Sequence, residues 1–350
     1  MSPASSVLLL NGTISFNSLI FSISSSIKWT AAAKNVLFRI KKIIFQTTKV
    51  PKMATSDPVI EISGLTKIFG KKIVAVDNLN LTINSGTIHG FLGPNGSGKT
   101  TTLRCCLGLL RPNSGFVKIF GALMGPSKVN ILRRIGYLPG DVALYPYYTV
   151  KQLLNYFQTV YGGAAPLREE LIERFDVDES RSTKSLSKGN RQKVGIIQAL
   201  MHDPDLLILD EPSSGLDPLL QLTLFQVLRE FRKSGKTIFF SSHVLSEVDK
   251  ICNSVSIIRN GRLITTEDVS TLSQKIGRKV SLKFHDSSSS PDLGISGLSF
   301  VKRDGELFHY LVKSDFKQAI RALGENPLVA DIIVPETSVE DFFMEIYRGN

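Results

Sequence analysis

The sequence predicts an α/β fold in which helices cover a mostly parallel sheet. From Val59 to about Ser270, short apolar runs alternate with stretches of helical periodicity, which is the rhythm of such a sheet. A glycine-rich segment at 93–100 stands between an apolar strand and a helical stretch. Beyond Gln274 the pattern changes, and we expect a second, smaller domain there.

The elements of the main domain follow from the lengths of its apolar runs. Short, almost entirely apolar runs indicate buried strands, and longer runs with apolar residues at helical spacing indicate helices. The predicted strands are Thr87–Leu92, Leu206–Asp210 and Thr237–Ser241, and the predicted helices are Val150–Gly162 and Leu167–Phe175. The two helices fall within a largely helical insert at about residues 140–200.

The C-terminal region has a different order of elements. We predict strands at Val280–Phe284, Leu307–Val312 and Ala330–Val334, and helices at Phe316–Leu323 and Val339–Tyr347. A polar stretch with serines at 287–290 separates the first two of these strands. These patterns divide the chain into a leader (1–56), a main domain (57–275) and a small C-terminal accessory α+β domain (276–350).

Positive charge is concentrated in the leader. The 350 residues carry a net charge of +11, and residues 1–52 contain seven Lys and Arg with no Asp or Glu, which leaves the remainder mildly basic. The charge therefore gives no reason to expect a nucleic-acid partner. For the leader we keep three interpretations: a disordered or over-extended start ahead of Met53, an organelle-targeting segment, or a membrane anchor.

The cysteines argue against a disulfide framework or a cysteine metal site. Cys105 and Cys106 are adjacent and Cys252 is distant, and this spacing is typical neither of a disulfide framework nor of a set of metal ligands. We expect buried, unreactive thiols on helices.

Residues 93–100 match the P-loop pattern, and their strand-to-helix context agrees with it. Glycines let successive backbone N–H groups point at phosphate oxygens, and the following helix presents its positive end to the same anion. We expect Lys99 to reach the β- and γ-phosphates of ATP and to assist catalysis, and the Thr100 hydroxyl to bind Mg²⁺. The predicted nucleotide-binding segment consists of Gly93, Pro94, Asn95, Gly96, Ser97, Gly98, Lys99, Thr100 and Thr101.

Two adjacent carboxylates end the apolar strand 206–210. The carboxyl end of such a strand lies at the crevice where ligands bind. We predict that Asp210 holds Mg²⁺ and that Glu211, pointing to the other side because strand side chains alternate, is the general base that polarises the attacking water.

The segment 186–194, Leu-Ser-Lys-Gly-Asn followed by Arg-Gln-Lys-Val, resembles the signature segment of ABC transporter ATPases. It has Lys188 where the family has glycine and Asn190 where it has glutamine, as in the branch that drives drug, antibiotic or ion exporters. The resemblance spans about residues 57–272. It implies that Ser187, Gly189 and Asn190 contact the γ-phosphate of ATP held by a second ATPase subunit, a homodimer partner or close paralogue.

Three further positions resemble family motifs. Asp217, in Ser-Gly-Leu-Asp, is similar to the residue that links the two subunits, and His243 to the histidine that touches the γ-phosphate. Phe69 corresponds to the aromatic that stacks on adenine, with core packing as the alternative. Gly140 occupies the position of the family's glutamine, so that either Asp141 replaces it near Mg²⁺ or the metal keeps another water.

The resemblance implies a P-loop NTPase sheet core with a helical subdomain and a small antiparallel region. It also implies ATP and Mg²⁺ as cofactors, separate transmembrane permease subunits as partners, and a peripheral place at the cytoplasmic face of the membrane, with export as the direction. We expect the crevice beside Tyr137–Tyr148 to receive a helix of the permease. Two other functions stay open: a soluble ABC ATPase acting on DNA or ribosomes, and a regulatory subunit that binds ATP without hydrolysing it.

Overall fold

The computed structural model describes residues 58–70, 72–125, 128–269, 278–285, 293–312 and 315–334. The chain divides into two units, 1–52 and 53–350. The leader, the serine run at 287–290 and the predicted helix Val339–Tyr347 lie outside the described residues.

An antiparallel sheet begins the described chain. Its strands are β1 (Pro58–Phe69), β2 (Ile73–Asn84), β4 (Ser114–Ile119) and β5 (Ala122–Leu123), in the order β2-β1-β4-β5. All of its pairings are antiparallel. This sheet is the small antiparallel region expected from the family resemblance.

A six-stranded, mainly parallel sheet follows. Its strands are β3 (Ile88–Leu92), β6 (Ile135–Leu138), β7 (Leu206–Asp210), β8 (Thr237–Ser242), β9 (Ser254–Arg259) and β10 (Arg262–Asp268). Their order is β10-β9-β3-β8-β7-β6, and only the β9–β10 pairing is antiparallel. Every residue of β3, β7 and β8 is buried, as expected of strands covered on both faces. The α/β fold predicted from the sequence is confirmed.

Seven helices accompany these sheets in the described part of the chain. They are α1 (Lys99–Cys106), α2 (Val129–Leu132), α3 (Val150–Val160), α4 (Arg168–Arg174), α5 (Lys188–Leu200), α6 (Pro218–Lys233) and α7 (Leu245–Ile251). Helices α3, α4 and α5 lie between β6 and β7 in the chain and form the helical lobe. None of the helices among the described residues has both the length and the apolar character needed to cross a bilayer.

Two apolar clusters form the core of the main domain. One joins the helical lobe to the parallel sheet and includes Leu153, Phe175 and Phe240. The other lies on the side of the antiparallel sheet and includes Leu79 and Phe91. Because burial of this apolar surface is the main favourable term in folding, the helical lobe and both sheets are held together by packing.

The C-terminal sheet consists of β11 (Arg278–Phe284), β12 (Leu298–Asp304), β13 (Leu307–Val312) and β14 (Val329–Ile333), in the order β12-β13-β11-β14. Helix α8 (Phe316–Gly324) adds Ala319 and Leu323 to a third apolar cluster, whose residues all come from this region. The sequence pattern predicted β11, β13, β14 and α8 within a few residues but missed β12. That strand lies at the sheet edge and is almost wholly exposed, so it lacks the buried alternation that marks a strand.

Candidate nucleotide-binding and catalytic site

The P-loop connects β3 to α1, as its sequence predicts. Gly98 immediately precedes the helix with φ at 106°, a left-handed conformation in which a Cβ would strike the carbonyl oxygen of Ala75. Lys99 is the first helical residue and is only 5% exposed. Its Nζ donates to the carbonyl oxygens of Gly93, at 2.6 Å, and Pro94, at 3.2 Å. The loop therefore curls around the lysine ammonium at the N-terminus of α1.

The predicted Mg²⁺ residues lie against each other. Thr100 Oγ1 donates to Asp210 Oδ2 at 2.7 Å, although 110 residues separate them in the chain. The other carboxylate oxygen, Oδ1, accepts from Ser241 Oγ at 2.6 Å. Each oxygen of this buried carboxylate is thus held by one hydroxyl.

Glu211 does not continue the strand, so the prediction that strand alternation sets the orientation of its side chain was wrong. Strand β7 ends at Asp210, and Glu211 has φ at 49°, in the left-handed region that non-glycine residues rarely adopt. The turn directs the Glu211 carboxylate towards the side chains of Lys99 and His243. Oε1 lies 3.4 Å from Lys99 Nζ, and Oε2 lies 2.7 Å from His243 Nδ1.

The topology of the parallel sheet explains this meeting of distant residues. Strands β3, β8 and β7 are neighbours, and Asp210 is paired with Ser241. The carboxyl ends of parallel strands meet at one edge, and there they bring together the P-loop, the β7 acids and His243. Lys99, Thr100, Asp210, Glu211 and His243 thus form one site.

The residues present fit a Mg²⁺-bound nucleoside triphosphate. Ser97 Oγ is buried and has no hydrogen-bond partner among the described residues, which is unusual for a buried polar atom and suits a site that takes a polar ligand. The ammonium of Lys99 and the N-terminus of α1 are adjacent sources of positive potential for an anion. Thr100 and Asp210 are the hard oxygen donors that Mg²⁺ prefers.

The signature segment lies at the start of α5. Ser187 caps this helix, since its side chain accepts from the backbone N–H of Asn190 at 3.3 Å, and serine is among the residues that favour a helix N-terminus. A Cβ on Gly189 would lie 2.8 Å from the Gly215 carbonyl oxygen. Asp217 caps α6, where its Oδ1 accepts from the first two free N–H groups. No hydrogen bond or ion pair within the described residues joins the side chain of Ser187, Asn190 or Asp217 to the P-loop.

Phe69 and Asp141 stand apart from the central cluster. Phe69 ends β1 and is 40% exposed, with Lys67 Nζ 5.3 Å from its ring centroid, so that core packing does not account for it. Asp141 is exposed, and no hydrogen bond among the described residues ties it to Thr100 or Asp210. Gly140 does lie at the site, because a Cβ there would be 3.1 Å from Asp210 Oδ2.

Sequence reasoning missed two residues that hold the site. Ser241 Oγ donates to Asp210 Oδ1 at 2.6 Å and accepts from the backbone N–H of Glu211 at 3.1 Å. The signal was its place at the end of an apolar strand, directly before Ser242 and His243. Gln192, on α5, donates from Nε2 to the Pro212 carbonyl at 2.9 Å, and no local pattern pointed to that contact.

Cys105 and Cys106 are buried on α1, as expected, whereas Cys252 follows the end of α7. Burial raises the pKa of Cys105 to about 11, despite the opposing effect of Lys67, and raises that of Cys106 further still. Cys252 is half-buried, and desolvation raises its pKa too. High thiol pKa values disfavour the reactive thiolate.

The chain matches the family model described as "ABC transporter" over residues 76–214. The bacitracin transport ATP-binding protein BcrA of Bacillus licheniformis is 33% identical over 302 residues, which cover 83% of this chain and 98% of that protein. The ABC transporter ATP-binding protein NatA of Bacillus subtilis is 39% identical, over 55% of this chain and 82% of that protein.

Similarity also extends to a Nod factor export ATP-binding protein I from Ralstonia nicotianae, which is 34% identical over 60% of this chain and 67% of that protein. Among solved structures, the ATP-binding subunit of an ABC transporter superposes with a TM-score of 0.57 at 28% identity, covering 61% of this chain and 91% of that one. A dimeric ABC transporter cassette superposes at 0.56 with 24% identity, over 60% of this chain and 98% of that one, a likeness of fold alone.

Proposed function

We propose that this chain, which belongs to the family of ABC transporter ATP-binding proteins, is the ATP-hydrolysing subunit that drives an exporter. One observation carries the proposal: Glu211 Oε1 lies 3.4 Å from the P-loop lysine, and Oε2 lies 2.7 Å from His243. A general base must lie within hydrogen-bonding reach of its proton, and here it faces the pocket that would hold the terminal phosphate.

Each residue of the site has a role in this proposal. Lys99 and the P-loop N–H groups bind and orient the phosphates, and Glu211 accepts the proton of the water that attacks the γ-phosphorus in line. His243, bonded to Glu211, orients that carboxylate and contacts the γ-phosphate. Thr100 and Asp210 would hold Mg²⁺, which supplies neutralisation of the charge that builds up as the phosphoryl group departs.

We further propose that two copies, or this chain and a close paralogue, act together. The capped N-termini of α5, with Ser187, Gly189 and Asn190, and of α6, with Asp217, lie outside the cluster formed by Lys99 and Glu211. In the proposed dimer they would complete the site of the partner subunit. Phe69, exposed at the end of β1, would stack on adenine, and either the carboxylate of Asp141 would replace the family's glutamine near Mg²⁺ or the metal would keep another water.

The membrane-embedded pathway belongs, in this proposal, to separate permease subunits, and this chain binds them at the cytoplasmic face of the membrane. Three tyrosines between β6 and α3 favour a docking surface there, since Tyr145, Tyr147 and Tyr148 are 58%, 92% and 44% exposed. The C-terminal sheet, with its own apolar cluster, supports an accessory domain at 276–350 beside the ATPase domain at 57–275.

The test is hydrolysis by a Glu211→Gln variant. Because only the proton acceptor is lost, we expect phosphate release to fall at least about a hundredfold while Mg·ATP binding stays close to wild type. Glu169→Gln is the matched control, since Glu169 is 87% exposed on α4, and it should hydrolyse ATP normally. Lys99→Ala, in contrast, should lose the binding of Mg·ATP.

Two results would contradict the proposal. Wild-type chain that binds ATP but releases no phosphate, even with its copurifying membrane protein, would favour the regulatory subunit. Undiminished hydrolysis by Glu211→Gln would remove Glu211 from the mechanism. For assembly, Glu211→Gln with Mg·ATP should elute as a dimer and the nucleotide-free chain as a monomer.

A further inference from the structure

Gln192 is a buried amide in an otherwise small or apolar face of α5. Its side chain is 3% exposed, so its polar groups must find partners inside the protein. Nε2 donates to the Pro212 carbonyl oxygen at 2.9 Å and lies 3.5 Å from that of Glu211. The helix that begins with the signature segment therefore reaches the backbone of Glu211.

The segment that Gln192 contacts is strained. Glu211 has φ at 49°, and a non-glycine residue in this left-handed conformation is strained and persists only where its surroundings hold it. On the side of the sheet, the Glu211 N–H lies 3.3 Å from the Ser241 carbonyl and 3.1 Å from its hydroxyl. On the opposite side, the Gln192 side chain donates to the Pro212 carbonyl and reaches that of Glu211, which also accepts from the Ser214 N–H at 3.1 Å. The turn is thus bracketed between β8 and α5.

The start of α5 contacts the same segment a few residues later. Gly189 lies so close to Gly215 that a Cβ would come within 2.8 Å of its carbonyl oxygen, and the Lys188 side chain lies beside Gly215. Gly189 and Gln192 are three residues apart, so they share one face of the helix. A displacement of the N-terminus of α5 is therefore transmitted to the 211–217 segment along a rigid helix.

We propose that Gln192 is a positioning residue that couples the signature end of α5 to the orientation of Glu211 in the same subunit. The inference rests on the proposed function, in which Ser187 and Asn190 contact the nucleotide of the partner subunit. ATP engaged by α5 in the partner's site then sets the carboxylate geometry in the subunit's own site. The two sites of a dimer communicate through this amide.

The experiment compares Gln192→Met with wild type. Methionine keeps the length and volume of the side chain and removes the donor, so the fold is retained while the Pro212 carbonyl loses the Gln192 amide and the Glu211 carbonyl keeps the Ser214 N–H. We expect kcat to fall about tenfold or more, since small displacements of a catalytic group are costly, with KM and the measured affinity for Mg·ATP within about twofold of wild type. The Hill coefficient for ATP should fall towards one.

Two further variants sharpen the comparison. Gln192→Glu keeps the shape but places an acceptor against two carbonyl oxygens, and it should lower kcat at least as much as methionine does. Gln158→Met is the matched control, because that amide donates to the Gly163 carbonyl at 2.9 Å on α3, away from the site. It should leave kcat and cooperativity unchanged.

The outcomes separate this inference from the proposed function. A wild-type chain without hydrolysis would contradict the proposed function. Hydrolysis by wild type with equal kcat and Hill coefficient in Gln192→Met would overturn only the role of Gln192. A joint loss of ATP affinity and kcat in Gln192→Met and Gln192→Glu would assign the residue to ordinary packing and overturn it too.

Discussion

At the scale of single residues, Asp210 is the most constrained group of the site. Its two carboxylate oxygens accept from Thr100 and Ser241 at 2.7 and 2.6 Å, and its side chain is buried. Gly140 lies beside this carboxylate, because a Cβ there would be 3.1 Å from Oδ2. The glycine at the position of the family's glutamine thus leaves room beside the proposed metal ligand.

Gly140→Ala should therefore weaken the binding of Mg²⁺ at this site. The added methyl presses on a carboxylate that Thr100 and Ser241 hold in place, and overpacking of this kind costs on the order of 1–3 kcal/mol. We expect the Mg²⁺ concentration for half-maximal nucleotide binding and hydrolysis to rise about tenfold. Gly125→Ala is the control, since a Cβ there meets nothing within 4 Å. An unchanged Mg²⁺ titration in Gly140→Ala would show that Asp210 moves freely.

At the scale of elements, the sequence predicts what depends on local pattern and fails where tertiary contacts decide. Strand β7 and the starts of α3 and α5 were predictable, because apolar runs and caps are local signals. Edge strand β12 was not, since its residues are exposed. The left-handed turn at Glu211 was not either, because it depends on Ser241 and Gln192, which lie 30 and 19 residues away.

Helix α3 offers an element-scale test. Thr149 begins it with a capping box, in which its hydroxyl accepts from the Gln152 N–H at 3.2 Å and the Gln152 side chain accepts from the Thr149 N–H at 2.9 Å. Thr149→Ala should lower the free energy of unfolding by about 1 kcal/mol and speed hydrogen exchange in the first turn of α3.

The control for this change lies in the same helix. Thr159 is exposed and its hydroxyl donates to the Asn155 carbonyl within the helix, so Thr159→Ala should be neutral or slightly stabilising. Chemical denaturation and amide exchange of both variants provide the measurement. Equal destabilisation by the two substitutions would argue that the capping box contributes nothing.

At the scale of the whole molecule, one buried histidine ties β3 to β9. His89 is 2% exposed, and its ring nitrogens lie 2.7 Å from Ser254 Oγ and 2.8 Å from Ser256 Oγ. Burial lowers the pKa of His89 from 6.5 to about 4, because the charged ring would lose its hydration. The folded protein therefore holds this side chain neutral under conditions in which the unfolded chain protonates it.

Acid should accordingly begin to destabilise the protein at pH values well above the pKa values of ordinary carboxylates. Between pH 6.5 and 4 the unfolded state binds the additional proton, so the free energy of unfolding falls as the pH falls, by at most about 3 kcal/mol from this residue. His89→Gln keeps an amide able to bond both serines but has no proton to bind, so its stability should decline less steeply from pH 6.5 to 4.5. Denaturant titrations at a series of pH values measure both slopes. From pH 7.5 to 8.5 the free energies of unfolding of the two proteins should change in parallel. Equal slopes below pH 6.5 would refute the role of His89 in acid destabilisation.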